Sequence, residues 1–269
     1  MHKNISFWIG ASLIILIAFL ACIGPSLSSH NYCDAHLASK NLSPCATFWF
    51  GTDELGRDLF TRCWWGARIS LFVGLTASLI DLFIGTLYGG VAGFLGKKSD
   101  ELLMRFADIL HSIPYLLIVI LCIVLMGPGI SAMVIALSCT GWVNMARIVR
   151  SKVLELKERE FVLATRALGA SRFRILLFHL IPNAYGPIIA TLTWTIPSAM
   201  FAEAFLSFLG LGVQAPVVSW GTMIHDGLSA LRFYPWRLFF PAGLMSISLF
   251  GFTLMGDALH NHFDPRRSP

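Results

Sequence analysis

Charge is what this sequence has least of. Only 13% of its 269 residues are charged, about half the ~25% usual in a soluble domain. Hydrophobic residues make up 56%, and mean hydropathy is +0.70. That balance excludes a disordered chain and argues against an ordinary soluble enzyme. Other signatures are missing as well. There is no Gly-x-x-x-x-Gly-Lys-Ser/Thr phosphate loop, so the chain has no means of hydrolysing ATP alone. No Cys-x-x-Cys pair suggests a zinc ribbon or a thioredoxin-like site. No His-Glu-x-x-His or Ser-His-Asp arrangement is present either, and no enzyme activity is expected of it.

What the sequence has instead is long apolar runs. Several approach the roughly 20 residues that cross a hydrocarbon core of about 30 Å. The runs predict an all-α, polytopic membrane protein forming a single transmembrane domain over 1–269, with six spans near 7–27, 68–95, 107–126, 131–149, 184–209 and 238–259. Gly85, Gly89 and Gly90 in the second span, and Pro187 and Pro197 in the fifth, read as helix interruptions that neighbouring helices would satisfy. Gly74, Ala77, Ser78 and Gly85 suggest close helix contacts.

Net charge is +5, and its placement matters more than its size. With the N-terminus in the cytoplasm, fourteen of the twenty Lys and Arg residues fall inside. They are Lys3, Lys97, Lys98, Arg105, Arg266, Arg267 and the eight lying between Arg147 and Arg174. Cationic loops face the cytoplasm, so both termini are expected there. The basic character therefore reads as topology and lipid contact, not as a nucleic-acid footprint. Phe19-Leu20-Ala21-Cys22 resembles a lipoprotein cleavage site only loosely, because Leu20 is large and the apolar run continues. An uncleaved signal-anchor is expected. Trp8, Trp64, Trp65 and Trp236 read as interfacial anchors.

Of the six cysteines, Cys22, Cys122 and Cys139 fall in spans, where cysteine acts as a small hydrophobe. Cys33 and Cys45 fall in the extracytoplasmic loop 28–61 and form the candidate disulfide. Such a bridge would close a loop of roughly a dozen residues and contribute about 3 kcal/mol in the chain-entropy model.

The most informative stretch is the cytoplasmic loop 150–182. Good helix formers run from Glu155 to Leu168, Gly169 supplies a turn, and Ser171 can cap a second short helix ending before Pro182. A helix–turn–helix elbow is expected. Ala164, Thr165, Ala167, Gly169 and Ala170 are small enough to let another surface approach. Arg159, Arg166, Arg172 and Arg174 surround them with charge-assisted donors. An amphipathic helix lying on lipid or on the bundle has the same pattern.

This loop resembles the "EAA" loop of ABC-importer permease subunits. The matching positions are Leu163, Ala164, Thr165, Gly169 and Pro182; Leu163 stands where the signature has glutamate, and Thr165 replaces its second alanine. The pattern Ala164-x-Arg166-Ala167-Leu168-Gly169-Ala170-Ser171 and the exit His179-x-x-Pro182-Asn183 are similar to the peptide-importing branch. Gly51-Thr52-Asp53-Glu54-Leu55-Gly56-Arg57-Asp58 resembles a segment of that branch's C-type subunit. So do Leu206–Gly212, Trp220–Met223, Met255–Asp257 and Asp264-Pro265. The resemblance covers roughly residues 48–267. It implies a type I ABC-importer permease of the oligopeptide/dipeptide (peptide/nickel) family, moving cargo across the inner membrane by alternating access. It further implies a homologous second permease, two cytoplasmic ATPases that bind the ATP, and an extracytoplasmic peptide-binding protein. No cofactor is implied in this chain. The elbow would dock on an ATPase and transmit its closure, with the contact normally made by the missing glutamate in question. Nickel complexes or another small solute are the alternative cargo. A proton-coupled secondary transporter relaying through Asp81 and Glu203 is the rival class.

Asp81 in the second span is a functional candidate by position, or a hydrogen-bond partner for a neighbouring helix or subunit. Glu203 in the fifth faces either the pathway or the permease–permease interface. Arg105 and Asp108, three apart, predict a local ion pair. The segment 51–58 packs the outer loop on the bundle or meets the binding protein, and its spacing does not suit a calcium loop. His260 and His262 lack a third metal ligand and read as solvated tail.

Overall fold

The computed structural model describes residues 2–263. Asp264, Pro265, Arg266 and Arg267, and the side chain of Lys3, lie outside the described residues. α1 (His2–Leu27) leads through a loop with one 3-10 turn (Leu37–Ser39) into α2 (Leu59–Leu95). α3 (Lys97–Ser112), α4 (Tyr115–Met126) and α5 (Ile130–Leu156) follow. Short helices α6 (Glu160–Ala167) and α7 (Arg172–Ile175), a π turn (Leu176–Leu180) and α8 (Ile181–Asn183) feed α9 (Tyr185–Phe208). α10 (Trp220–Ala230) and α11 (Trp236–Phe263) complete the described chain.

Five helices, α1, α2, α5, α9 and α11, are long and apolar enough to span a membrane; α3 and α4 reach that length and hydropathy only as a pair, bent by 80° at their junction. The expected third span is thus two helices. The break falls at Ile113-Pro114, as the ring of Pro114 cannot continue α3. α2 begins nine residues before the expected span because the Asp58 carboxylate caps it, accepting from the N–H groups of Phe60 and Thr61.

The glycines of α2 do not interrupt it. Gly85, Gly89 and Gly93 are spaced by four residues and form one stripe facing α5. A Cβ at these positions would meet Trp142 O at 2.7 Å, Ala146 O at 2.1 Å and Arg150 O at 2.9 Å. The two backbones therefore touch along a seam of small residues, as membrane helices do when packing alone must hold them. A second close approach joins α1 to α11, where a Cβ on Gly10 would meet Gly251 O at 2.5 Å.

At the opposite end, the 51–58 segment is consumed by structure. Asp53 accepts from the backbone of Leu55 and Arg57 and pairs with Arg57 Nε at 2.6 Å and Arg62 Nε at 3.4 Å. Glu54 and Asn41 reach Arg237 of α11. Trp64 is not an interfacial anchor. It is buried, and a Cβ on Gly24 of α1 would strike its ring. Arg68 performs a local repair: Pro25 has no N–H to give the Ala21 carbonyl four residues back, and Arg68 Nε donates to that oxygen at 2.6 Å. Its Nη2 donates to Cys22 O at 2.7 Å, and the guanidinium sits 4.4 Å from the Trp65 ring centroid.

Two local expectations fail, the first because the partner of Asp108 lies on another helix. Asp108 pairs with Arg147 of α5 at 2.8 Å and not with Arg105. Cys33 and Cys45 are free and exposed, not bridged. Cys45 Sγ instead lies 3.2 Å from the Thr47 hydroxyl, and that contact, with backbone N–H groups of 47 and 48, holds its thiol below the usual range. The Cys33 side chain lies by Tyr32 and, with burial, raises that phenol.

Candidate functional site

The elbow is built on the end of α5. Arg150 Nε and Nη2 grip both carboxylate oxygens of Asp100, in the first turn of α3, at 2.5 and 2.7 Å. Lys157 Nζ donates to Gly93 O, among the last carbonyls of α2, at 3.1 Å. A bidentate pair fixes orientation as well as distance, so the platform beneath the elbow is held to two other helices.

From this platform α6 runs to Leu168, where the chain turns at Gly169 with φ +82. The N–H of Leu168 bonds Ala164 O, that of Gly169 bonds Arg166 O and that of Ala170 bonds Thr165 O. This closes the last turn with glycine in the left-handed position. Ser171 caps α7 by accepting from Arg174 N. The second helix does not end before Pro182 as expected. α7 passes through the π turn, Pro182 sits in the first turn of α8, where its missing N–H costs little, and the helical path reaches α9.

One face of the elbow is buried. Val162, Ile175, Leu176 and Leu180 pack with Val149, Val153 and Leu156 of α5, and Ala170 and Phe94 border them. The other face is bare. Leu163, Ala164, Arg166, Ala167, Gly169, Ser171 and Pro182 are exposed, Thr165 and Ala170 are half-buried, and Leu168 is 88% exposed. Phe173 adds to the exposed apolar surface. A cleft of 510 Å³ lies beside it, bounded by Phe94, Leu95, Arg166, Ala170, Arg172 and Ile175. Leu163, at the glutamate position of the resembling motif, contributes apolar surface to this exposed face.

The two intramembrane carboxylates part company. Glu203 is fully buried and accepts from Ser70 Oγ at 3.0 Å and Ser207 Oγ at 2.9 Å; Ser70 Oγ in turn accepts from Trp220 N. It ties α2, α9 and α10 together inside this chain. Asp81 is buried too, yet no hydrogen bond or ion pair reaches it among the described residues, and its Oδ1 is without a partner. Its carboxylate borders a 470 Å³ cavity between α2, α5 and α9 and the α3–α4 bend. Thr140 and Asn144 of α5 line it, with Thr191, Thr195 and Ser198 of α9, and His111 and Tyr115 at the bend. Sequence reasoning missed this lining. The signal was present as polar residues at i, i+4 and i+7 in an otherwise apolar span, the period of one helix face.

A bundle of long apolar helices, with a helical elbow bolted to one end and a cavity of mixed polar and apolar lining between its spans, is the architecture of a membrane transport subunit. Residues 85–269 match the family described as binding-protein-dependent transport system inner membrane component. The chain belongs to that family. An oligopeptide transport system permease protein, OppC, of Bacillus subtilis strain 168 is 51% identical over 258 residues, covering 96% of this chain and 85% of that protein. A dipeptide transport system permease protein, DppC, of the same organism is 52% identical over 267 residues, covering 99% and 83%. OppC of Escherichia coli K12 is 41% identical, covering 95% and 86%. Among solved structures, the MetNI methionine ABC transporter in inward-facing conformations aligns with TM-score 0.58 and 20% identity, over 71% of this chain and 91% of that one. It establishes the shared permease fold.

Proposed function

We propose that this chain is the permease subunit of an ATP-driven importer of oligopeptides or dipeptides, and that the 150–182 elbow is its ATPase-coupling surface. The observation that carries this is the two-sided elbow: its inner face is packed on α5, its outer face exposes small and apolar residues beside Arg166 and Arg172, and its base is bolted to α2 and α3. An exposed patch of this kind marks an interaction surface. A push on α6 or α7 reaches α5 directly and α9 through the π turn, and both helices line the 470 Å³ cavity. The assembly has a homologous second permease, two cytoplasmic ATPases that bind the ATP and an extracytoplasmic binding protein. Both termini lie on the cytoplasmic side of the bacterial inner membrane. Closure of the ATPases drives the elbows, the paired permeases open outward to take peptide, and hydrolysis resets them.

The test is to purify the chain with these partners and ask whether peptides, delivered by the binding protein, stimulate ATP hydrolysis and uptake. Gly169→Val isolates the elbow. No atom lies within 4 Å of a Cβ at this position, so the whole cost is backbone: about 1–2 kcal/mol for leaving the left-handed region to a β-branched residue. The variant is expected to insert and assemble, and to hydrolyse ATP without matched uptake. Coupled uptake at the wild-type ratio would refute the elbow's role.

A further inference from the structure

The 470 Å³ cavity is a mixed site with a chemical bias. Thr191 Oγ1 donates to Pro187 O at 2.7 Å, Thr195 Oγ1 to Thr191 O at 3.0 Å and Ser198 Oγ to Trp194 O at 2.9 Å. Each hydroxyl proton is thereby committed to its own helix, which leaves oxygen lone pairs as what these side chains can offer the cavity. The Asp81 carboxyl adds acceptor oxygen at the cavity edge, with Oδ1 buried and unpartnered, and a negative charge when a cation draws its proton off. α5 is cut away to admit it: a Cβ on Gly141 would stand 2.1 Å from Asp81 Oδ2. No Arg or Lys lines the space. A buried carboxylate without a partner is costly unless something pairs with it. Apart from His111 at the bend, what the site lacks is a cation that also donates hydrogen bonds.

We propose that this cavity receives the α-ammonium end of a peptide during translocation, with Asp81 as the charged partner and the Thr191–Thr195–Ser198 stripe accepting from its amide N–H groups. The assignment rests on the importer function proposed above. The space suits a ligand of that size better than a bare metal ion. Pockets for small organic ligands run to about 300–1,000 Å³, and no group of three or more metal-binding side chains occurs among the described residues. Tyr115, whose buried hydroxyl is unpartnered, and Thr140 also line the cavity and offer hydroxyl donors to a peptide carbonyl. Asp81 is thus a binding residue that reads the charge of the cargo's leading end.

The experiment uses the complete importer. Direct binding of radiolabelled tri-alanine and of N-acetyl-tri-alanine is measured on the purified permease–ATPase complex, without binding protein, for wild type and Asp81→Asn. Uptake of tri-alanine into proteoliposomes, with binding protein, is measured alongside. Wild type should hold tri-alanine about 10-fold more tightly than its acetylated form, the scale of one charge-assisted bond. Asp81→Asn should lose that advantage and bind both alike, at the level of the acetylated peptide. Equal weakening of both peptides, or no change in either, overturns the proposal. So does dissociation of the Asp81→Asn complex, which would show that the second permease supplies the missing cation. A wild-type complex that takes up tri-alanine yet binds none directly overturns the cavity assignment alone. Failure of wild-type uptake removes the importer function itself.

Discussion

Two adjacent glycines of α2 should respond to the same substitution in opposite directions. Gly89 faces α5, and a Cβ there would lie 2.1 Å from Ala146 O and 2.8 Å from Ala146 C and Cα. Ordinary Cβ contacts begin near 3.4 Å, so the helices must part by about 1.3 Å. The obstructing atoms are backbone and have no rotamer to escape into. Overpacking of this kind costs about 1–3 kcal/mol, and the upper end applies where neither wall yields. Parting the seam also loosens Gly85 and Gly93, because a gap of 0.5–1 Å forfeits roughly a quarter to a half of the dispersion well. Against about 3 kcal/mol stands a helix-propensity gain of about 1 kcal/mol for replacing glycine, leaving a net loss of about 2 kcal/mol for Gly89→Ala. Gly90 points elsewhere. Its Cβ would meet Leu176 Cδ1 at 3.4 Å and Ile181 Cδ1 at 3.6 Å, ordinary contacts with flexible side chains. Gly90→Ala should therefore be neutral or gain up to about 1 kcal/mol. The predicted gap of about 3 kcal/mol corresponds to midpoints separated by on the order of 5–10 °C. Fluorescence-detected size exclusion after heating reads it directly. Equal midpoints, or Gly90→Ala falling below Gly89→Ala, would refute the account of α2 as a helix packed through its glycines.

Two further outcomes follow from the outer end. Arg68→Ala strips the donor from Ala21 O and the stacking on Trp65, and should cost about 1–3 kcal/mol in thermal stability; adding Pro25→Ala restores an N–H to that carbonyl and should recover part of the loss. Absence of any recovery would mean that Arg68 acts through Trp65 alone. Cys33 and Cys45 should both take up a membrane-impermeant maleimide in intact cells without reductant. Cys45 should react faster near neutral pH, because its lowered pKa puts more of it in the thiolate form; protection of both thiols until a reductant is added would show a bridge.

Elements governed by local chemistry were legible in the sequence. The Gly169 turn and the Ser171 cap depend on residues within three positions of themselves, and both form as expected. Hydropathy located every long span but misplaced the start of α2. Arg62 and Arg68 lower the apolar count there, although one is neutralised by Asp53 and the other by carbonyls of α1. Reading Gly74 and Gly85 as close-contact residues agrees with the structure, whereas reading Gly85, Gly89 and Gly90 as interruptions does not, because glycine either frees the backbone or removes a side chain and only the partner helix shows which applies. Pro182 was misread similarly, since a proline that ends one helix also suits the first turn of the next.

The carboxylates show where local inference stops. Asp81 and Glu203 are the same kind of residue in the same kind of span, and hydropathy treats them alike. Their difference lies wholly in what other helices bring. Glu203 meets Ser70, 133 residues away, and the serine completes its shell through Trp220 N. Asp81 meets Gly141, which contributes space and no donor. A buried acid that is satisfied serves as a rivet, whereas one left unsatisfied beside a cavity has its partner still to come. That distinction turns on whether a donor stands within hydrogen-bond reach, so it is decided by packing between α2, α5 and α9. The same packing places both carboxylates on helices that α9 joins, one locking it to α2 and α10, the other facing its polar stripe.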